Sequence, residues 1–225
     1  MSSKSLTFRL KPSVTRSDAV SDLNLENSFP TLSCADKYDF PLLVDLCCCC
    51  YILEHLHPDN CLVALENANA WCPDFDNIVE KCLHLIDASD GAVFLLEHFF
   101  ALSHRTLQMI VQRDTLAAPE NIIYTAVEAW AAETCRRQNM DPSSANRREV
   151  LGNVLFRVRF PLLTDAEMAS GPLKQPDVAL GQPDVASEFW DICMYKNTTD
   201  KPVMLFDSAP RRSVLFSVGG TMFKY

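Results

Sequence analysis

A chain of 225 residues that is 48% hydrophobic and 22% charged has the balance of a globular protein able to bury a core, in one large domain or two small ones. Its formal charge of -9 sets it against a phosphate backbone or an anionic membrane surface, and its densest basic run, Arg147, Arg148, Arg157 and Arg159, is too sparse to offset that. With no stretch near the roughly 20 apolar residues of a membrane span, neither nucleic acid nor membrane is an expected partner.

The first residues, Met1 to Lys11, are polar and basic and lack the apolar core of a secretion signal. Together with four consecutive cysteines, Cys47 to Cys50, which as neighbours cannot staple a fold, this predicts reduced thiols and a cytoplasmic location, or a nuclear one. Residues 1–20 read as irregular. Only six glycines occur, and none falls within 31–72 or 92–151, so hairpin-rich β architecture is excluded there in favour of helices.

In chain order, a weaker helix is predicted at about 40–56. The next runs from Asn60 to Trp71, with Leu62, Leu65, Ala68 and Trp71 on its apolar side. A Cys72-Pro73-Asp74 turn leads into a helix over 74–87, where Phe75, Ile78, Val79, Cys82, Leu85 and Ile86 recur at helical spacing. Asp76, Asn77, Glu80, Lys81 and Asp87 are left for water. These two form an antiparallel hairpin.

Loops at 87–91 and 113–118 flank a weaker helix over 104–112. A strong helix from Pro119 to Arg136 follows, burying Ile122, Ala126 and Trp130 with Ile123 and Val127, while Arg136 and Arg137 complement its C-terminal dipole. Asp141-Pro142 or Ser143 caps the next one, which buries Val150, Leu151, Val154, Leu155 and Val158 and turns Arg147, Arg148, Asn153 and Arg157 outward until Phe160-Pro161. Short helices are predicted at 164–170 and 185–195. Between them Gln175-Pro176-Asp177-Val178-Ala179 is repeated as Gln182-Pro183-Asp184-Val185-Ala186, a duplication that only a surface loop tolerates. From Val203 the texture turns to β, at 203–206 and 213–218.

Chemistry is hard to find in this pattern. Cys47 to Cys50 with His55 and His57 could be read as a thiolate-imidazole zinc site, but on an α-helix only Cys47 and Cys50 share a face, and a closed site needs four convergent ligands. No nucleophile elbow, phosphate loop, GxGxxG, HExxH or pair of CxxC motifs is present, so no catalytic, cofactor or metal residue is assigned. His84, His98 and His104 lie in or beside apolar runs, where a hydrogen-bonded structural role is expected. What helical hairpins can do is bind a partner's helix or extended segment in a groove.

Four segments in order, CADKYDFPLL at 34–43, LEHLHPDNC at 53–61, RDTL at 113–116 and NRREVLG at 146–152, resemble BTB-BACK adaptor proteins, and VRFPLL at 158–163 looks like the exit of the BACK module. The resemblance covers about 21–207 and is nearest the BTB-BACK-PHR subgroup, although the RRSVLFSVGG tail at 211–220 also looks like the opening of a kelch propeller. It implies an all-α fold of antiparallel helical hairpins. The expected divisions are the C-terminal helices of a BTB domain at 21–56, a BACK domain at 57–196 with a loop insert at 171–187, and the start of a β domain at 197–225.

The implied role is that of a non-catalytic adaptor for a cullin 3 ubiquitin ligase, in which the helix pair after BTB, the 3-box at about 59–88, completes the grip on cullin 3 and a further domain recruits a protein substrate. Asn60, Val63, Ala64 and Asn67, on the polar side of that pair, are the expected partner-facing residues. Two alternatives stand beside it: a regulatory or vestigial isoform that binds substrate or a BTB-containing relative without cullin, and a zinc protein built on Cys47 to Cys50, His55 and His57.

Overall fold

The computed structural model describes residues 23–72, 74–172 and 209–211, together with the backbone of 216–218 and 221–223. The predicted irregular N-terminus, the duplicated loop, the 185–195 helix and the 203–206 strand lie outside the described residues.

Helix α1 (Leu25–Lys37) starts at a capping box in which Asn24 and Asn27 exchange side-chain to backbone bonds of 2.9 Å, and it buries Phe29, Leu32 and Ala35. A left-handed Asp39 (φ 56°) turns the chain into α2 (Pro41–Cys47), with proline in its first position. There the winding loosens. Residues Cys48–Ile52 form a π-helical turn, closed by the Leu53 N–H donating to the Cys48 carbonyl at 3.0 Å. The wider turn corrects the α-helical expectation for the cysteine run: Cys47 and Cys48 are buried together, Cys49 is exposed and Cys50 half-buried.

Helices α3 (Cys61–Trp71) and α4 (Asp76–Asp87) form the predicted hairpin, the most intimate helix pair among the described residues. Cys61, Leu62, Ala64, Leu65 and Ala68 of α3 meet Ile78, Cys82, Leu83 and Ile86 of α4 in the core. Two 3-10 turns, Ala92–Leu95 and Glu97–Ala101, drop Val93, Phe94 and Phe99 into the same interior. Helix α5 (His104–Val111) follows, capped by Ser103.

Helix α6 (Glu120–Arg137) is the longest of those described, and it is buried on more than one side because the 3-10 turns and the next helix pack around it. Ile123, Ala126, Val127 and Trp130 are inside as expected, but Ile122 is exposed and Pro119 stands just before the helix rather than in its first turn. Helix α7 (Ser144–Leu151) is capped by Ser143 and ends early: Gly152 takes a left-handed φ of 48°, and 152–157 continue as a 3-10 helix. Of the apolar residues predicted to bury along one α-helix, Leu151 is therefore buried by the α-helix, Val154 and Leu155 by the 3-10 helix and Val158 by the extended residue after it, while Val150 is only half-buried. A last short helix, α8 (Asp165–Ser170), opens with a Thr164–Glu167 capping box. Strands β1 (Phe216–Val218) and β2 (Thr221–Phe223) pair antiparallel, with Val218 opposite Thr221.

Arg147 does not face outward. Its guanidinium lies 3.0 Å from Glu128 Oε2 across the α6–α7 contact, with both side chains largely buried. Burial raises the Glu128 carboxyl above its ordinary value of 4.5 more than Arg147 lowers it, and Glu128 Oε1 has no hydrogen-bond partner among the described residues. The folded chain therefore takes up this proton more readily than the unfolded chain. Glu128 favours folding most at low pH, and its contribution falls as pH rises from 4.5 through the raised value. Melting midpoints of the wild type minus those of Glu128→Gln should decline over that climb; a difference that does not vary with pH would show the carboxyl to be unperturbed.

Candidate functional site

The sequence-predicted partner-facing residues sit on α3, and the structure separates them. Asn60 closes the turn before the helix: its Nδ2 donates to the His55 carbonyl and its Oδ1 accepts the His57 N–H, both at 2.8 Å. Ala64 is fully buried, a correction that follows from its place one turn before Ala68, on the core side of the helix. Val63 and Asn67 remain half-exposed and one turn apart.

One further turn along the same strip lie Ala70 and Trp71. Trp71 is 50% exposed, although its apolar spacing predicts burial, because α3 ends there and Cys72 takes the inward position at 2% exposure. The helical period carries the signal for this strip, since 60, 63, 67 and 71 advance by three or four residues. Neighbouring polar side chains of α3 are engaged inside the molecule: Glu66 Oε2 accepts from the Ser103 N–H at 3.1 Å and its hydroxyl at 3.2 Å, and Asn69 Nδ2 donates to Thr106 at 3.0 Å. What remains for a partner on α3 is a narrow strip ending in an indole.

Among the described residues, three clefts of a size to seat a ligand bear on the site. The largest of these three, about 700 Å³, is bordered by Glu66, His104 and Glu149 among others. Its histidine is structural, as expected: Nε2 sits 2.9 Å from the Leu151 carbonyl at the end of α7, and Glu66 is held by Ser103. A second, about 470 Å³, lies between Leu116 and Leu163. The third, about 380 Å³, runs between the α1–α2 corner and the start of α4, with Phe40, Val44 and Phe75 below a rim of Asp36, Asp39 and Asp45. Tyr38, Phe40 and Leu42 at that corner are all more than half exposed.

Four of the buried cysteines are poor nucleophiles. Burial pushes Cys47 and Cys61 up to about 11 and Cys72 and Cys82 up to about 12, so these thiols stay protonated at neutral pH. The zinc reading also fails on geometry. Cys47 and Cys48 are buried in the core, His57 is exposed, and exposed His55 stacks on Tyr51 with ring centroids 4.4 Å apart. Among the described residues no group of three or more His, Cys, Asp or Glu could hold a metal ion, and no helix is long and apolar enough to cross a membrane.

The two motifs RDTL at 113–116 and RFPL at 159–162 meet in space. Arg113 and Thr115 both grip Asp87 at the end of α4, while Asp114 pairs with Arg159, whose own N–H donates to Glu120 Oε1 at 2.7 Å. The two are thus one polar seam rather than a reactive centre.

Residues 61–170, spanning α3 to α8, match the family BACK (BTB And C-terminal Kelch). Among curated proteins, the chain is 28% identical over 193 residues to BTB/POZ domain-containing protein 6-B of Danio rerio, covering 86% of this chain and 38% of that protein. It is likewise 28% identical to BTB/POZ domain-containing protein 6 of Homo sapiens, over 86% of this chain and 34% of the relative. BTB/POZ domain-containing protein 3 of Mus musculus is 27% identical over 194 residues, 86% of this chain and 35% of that protein. The chain spans little more than a third of the length of these relatives. With an all-helical BACK region and a collinear match that extends beyond it, the chain belongs to the BTB-BACK family.

Proposed function

We propose that this chain is a non-catalytic docking module that serves substrate recruitment to a cullin 3 ubiquitin ligase in the cytoplasm or nucleus. The observation that carries the reading is the α3 strip, in which Val63 and Asn67 lead to a half-exposed Trp71, the residue type most enriched at the energetic centres of interfaces. The strip lies on the first helix pair of the BACK region, where family resemblance puts the cullin-contacting 3-box. Substrate would be a protein held elsewhere in the assembly.

Calorimetric titration of the chain with the N-terminal region of cullin 3, alone and with a full-length BTB-containing relative, tests the reading. Trp71→Ala and Val63→Asp should each weaken binding about tenfold or more, roughly 1.4 kcal/mol, while leaving the unfolding midpoint close to that of wild type. Binding to the relative that excludes cullin 3 would replace this role by the regulatory one. Failure to bind either would end it.

A further inference from the structure

The end of α5 and the start of α6 build a receptor for a guanidinium group, and the chain fills it from far away in sequence. Val111 closes α5, so its carbonyl lacks an intrahelical partner and sits at the negative end of the helix dipole. The Arg113 carbonyl lies beside it, and Glu120, in the first turn of α6, presents a carboxylate already accepting the Arg159 N–H on Oε1.

Into this cup reaches Arg211. Its Nε donates to Glu120 Oε2 and its Nη2 to Glu120 Oε1, both at 3.0 Å, while Nη1 donates to the Val111 carbonyl at 2.9 Å and the Arg113 carbonyl at 2.5 Å. Both side chains of the pair are only 6% exposed. The Arg159 guanidinium answers from the bundle side, donating through Nη1 to the Ala209 carbonyl at 2.8 Å and through Nη2 to Asp114. Two carboxylates, Asp114 and Glu120, thus face two guanidinium groups, and carbonyls take up further donor directions. Lysine, with one nitrogen and no planar fork, could not make this set of bonds.

We propose that Glu120 with the Val111 and Arg113 carbonyls is a dedicated arginine-binding site whose ligand is the chain's own Arg211, and that it fixes the point at which the polypeptide leaves the BACK bundle. Whatever follows residue 211 departs from one place on the bundle instead of from a free tether. The site bears on the adaptor reading but does not rest on it, since nothing in it involves α3 or cullin 3.

Trypsin reads this directly, because Arg211 must enter the protease pocket for the bond after it to be cut. In the full chain under native conditions, cleavage after residue 211, followed by mass spectrometry and normalised to the same bond in denaturant, should be about tenfold faster or more in Arg211→Lys than in wild type. Lys remains a trypsin site, and normalisation to the denatured chain removes the intrinsic difference between Lys and Arg at the cut, leaving the effect of the clamp. Glu120→Gln should accelerate the same cut while Arg211 itself is intact. Equal normalised rates in wild type and Arg211→Lys, with both chains folded by circular dichroism, would overturn the proposal.

Discussion

Replacing Trp130 with alanine is expected to lower the unfolding free energy by about 3–5 kcal/mol, measured by urea denaturation. The indole is 2% exposed on α6, within the apolar core and 6.2 Å from the His104 ring between centroids, and its Nε1–H donates to the Leu102 carbonyl at 3.0 Å. Truncation leaves a cavity in a core where neighbours from several elements cannot all collapse into it, and it also strands that carbonyl. Trp130→Phe keeps most of the ring volume and loses the donor, so about 1–3 kcal/mol is expected. A cost below about 1 kcal/mol for the alanine variant would show that this region repacks freely.

A second large effect is expected at Asp87. Its side chain is 1% exposed and accepts from Arg113 Nη2 at 2.7 Å, Arg113 Nε at 3.0 Å and Thr115 Oγ1 at 2.6 Å. The Asp87 carbonyl also accepts the Ala117 N–H at 3.1 Å, which ties the segment after α5 to the end of α4. The bond to Asp87 holds the Arg113 pKa above its usual value. Asp87→Ala leaves that cation half-buried without its counterion, a loss of about 3–5 kcal/mol. Replacing both partners, Asp87→Ala with Arg113→Met, should recover part of that cost, because the stranded charge is gone. Additive losses in the double variant would mean that the two side chains contribute independently.

Periodicity marks where helices lie but misplaces several of their faces. The α3–α4 hairpin is legible because apolar residues recur at helical steps on both sides of a turn, whereas side-chain chemistry leaves Asp141 and Ser143 both able to cap α7, and the structure selects Ser143. Beyond Leu151 the apolar spacing persists, yet Gly152 ends the α-helix there, and three-per-turn winding buries Val154 and Leu155. The cysteine run departs from expectation for the same reason, because a π turn changes which residues share a side. Of the residues predicted to face a partner, the period places Val63 and Asn67 on the half-exposed strip and sends Ala64 to the wrong side, and it misses the exposure of Trp71 because hydrophobicity alone argues for burial.

By itself the sequence determined the all-helical class, the hairpin, the acidic net charge and the family, since each depends on composition, on residues within a turn or two of one another, or on motifs kept in order. Only the tertiary structure decided which charges go inside. Asp87 looks like a solvated helix end until Arg113 arrives from 26 residues away, and Glu120 becomes a receptor only when Arg211 returns from 91 residues away. A charge can leave water only where an opposite charge and hydrogen-bond donors are brought to it, and that meeting is set by how the helices pack, which no local pattern records.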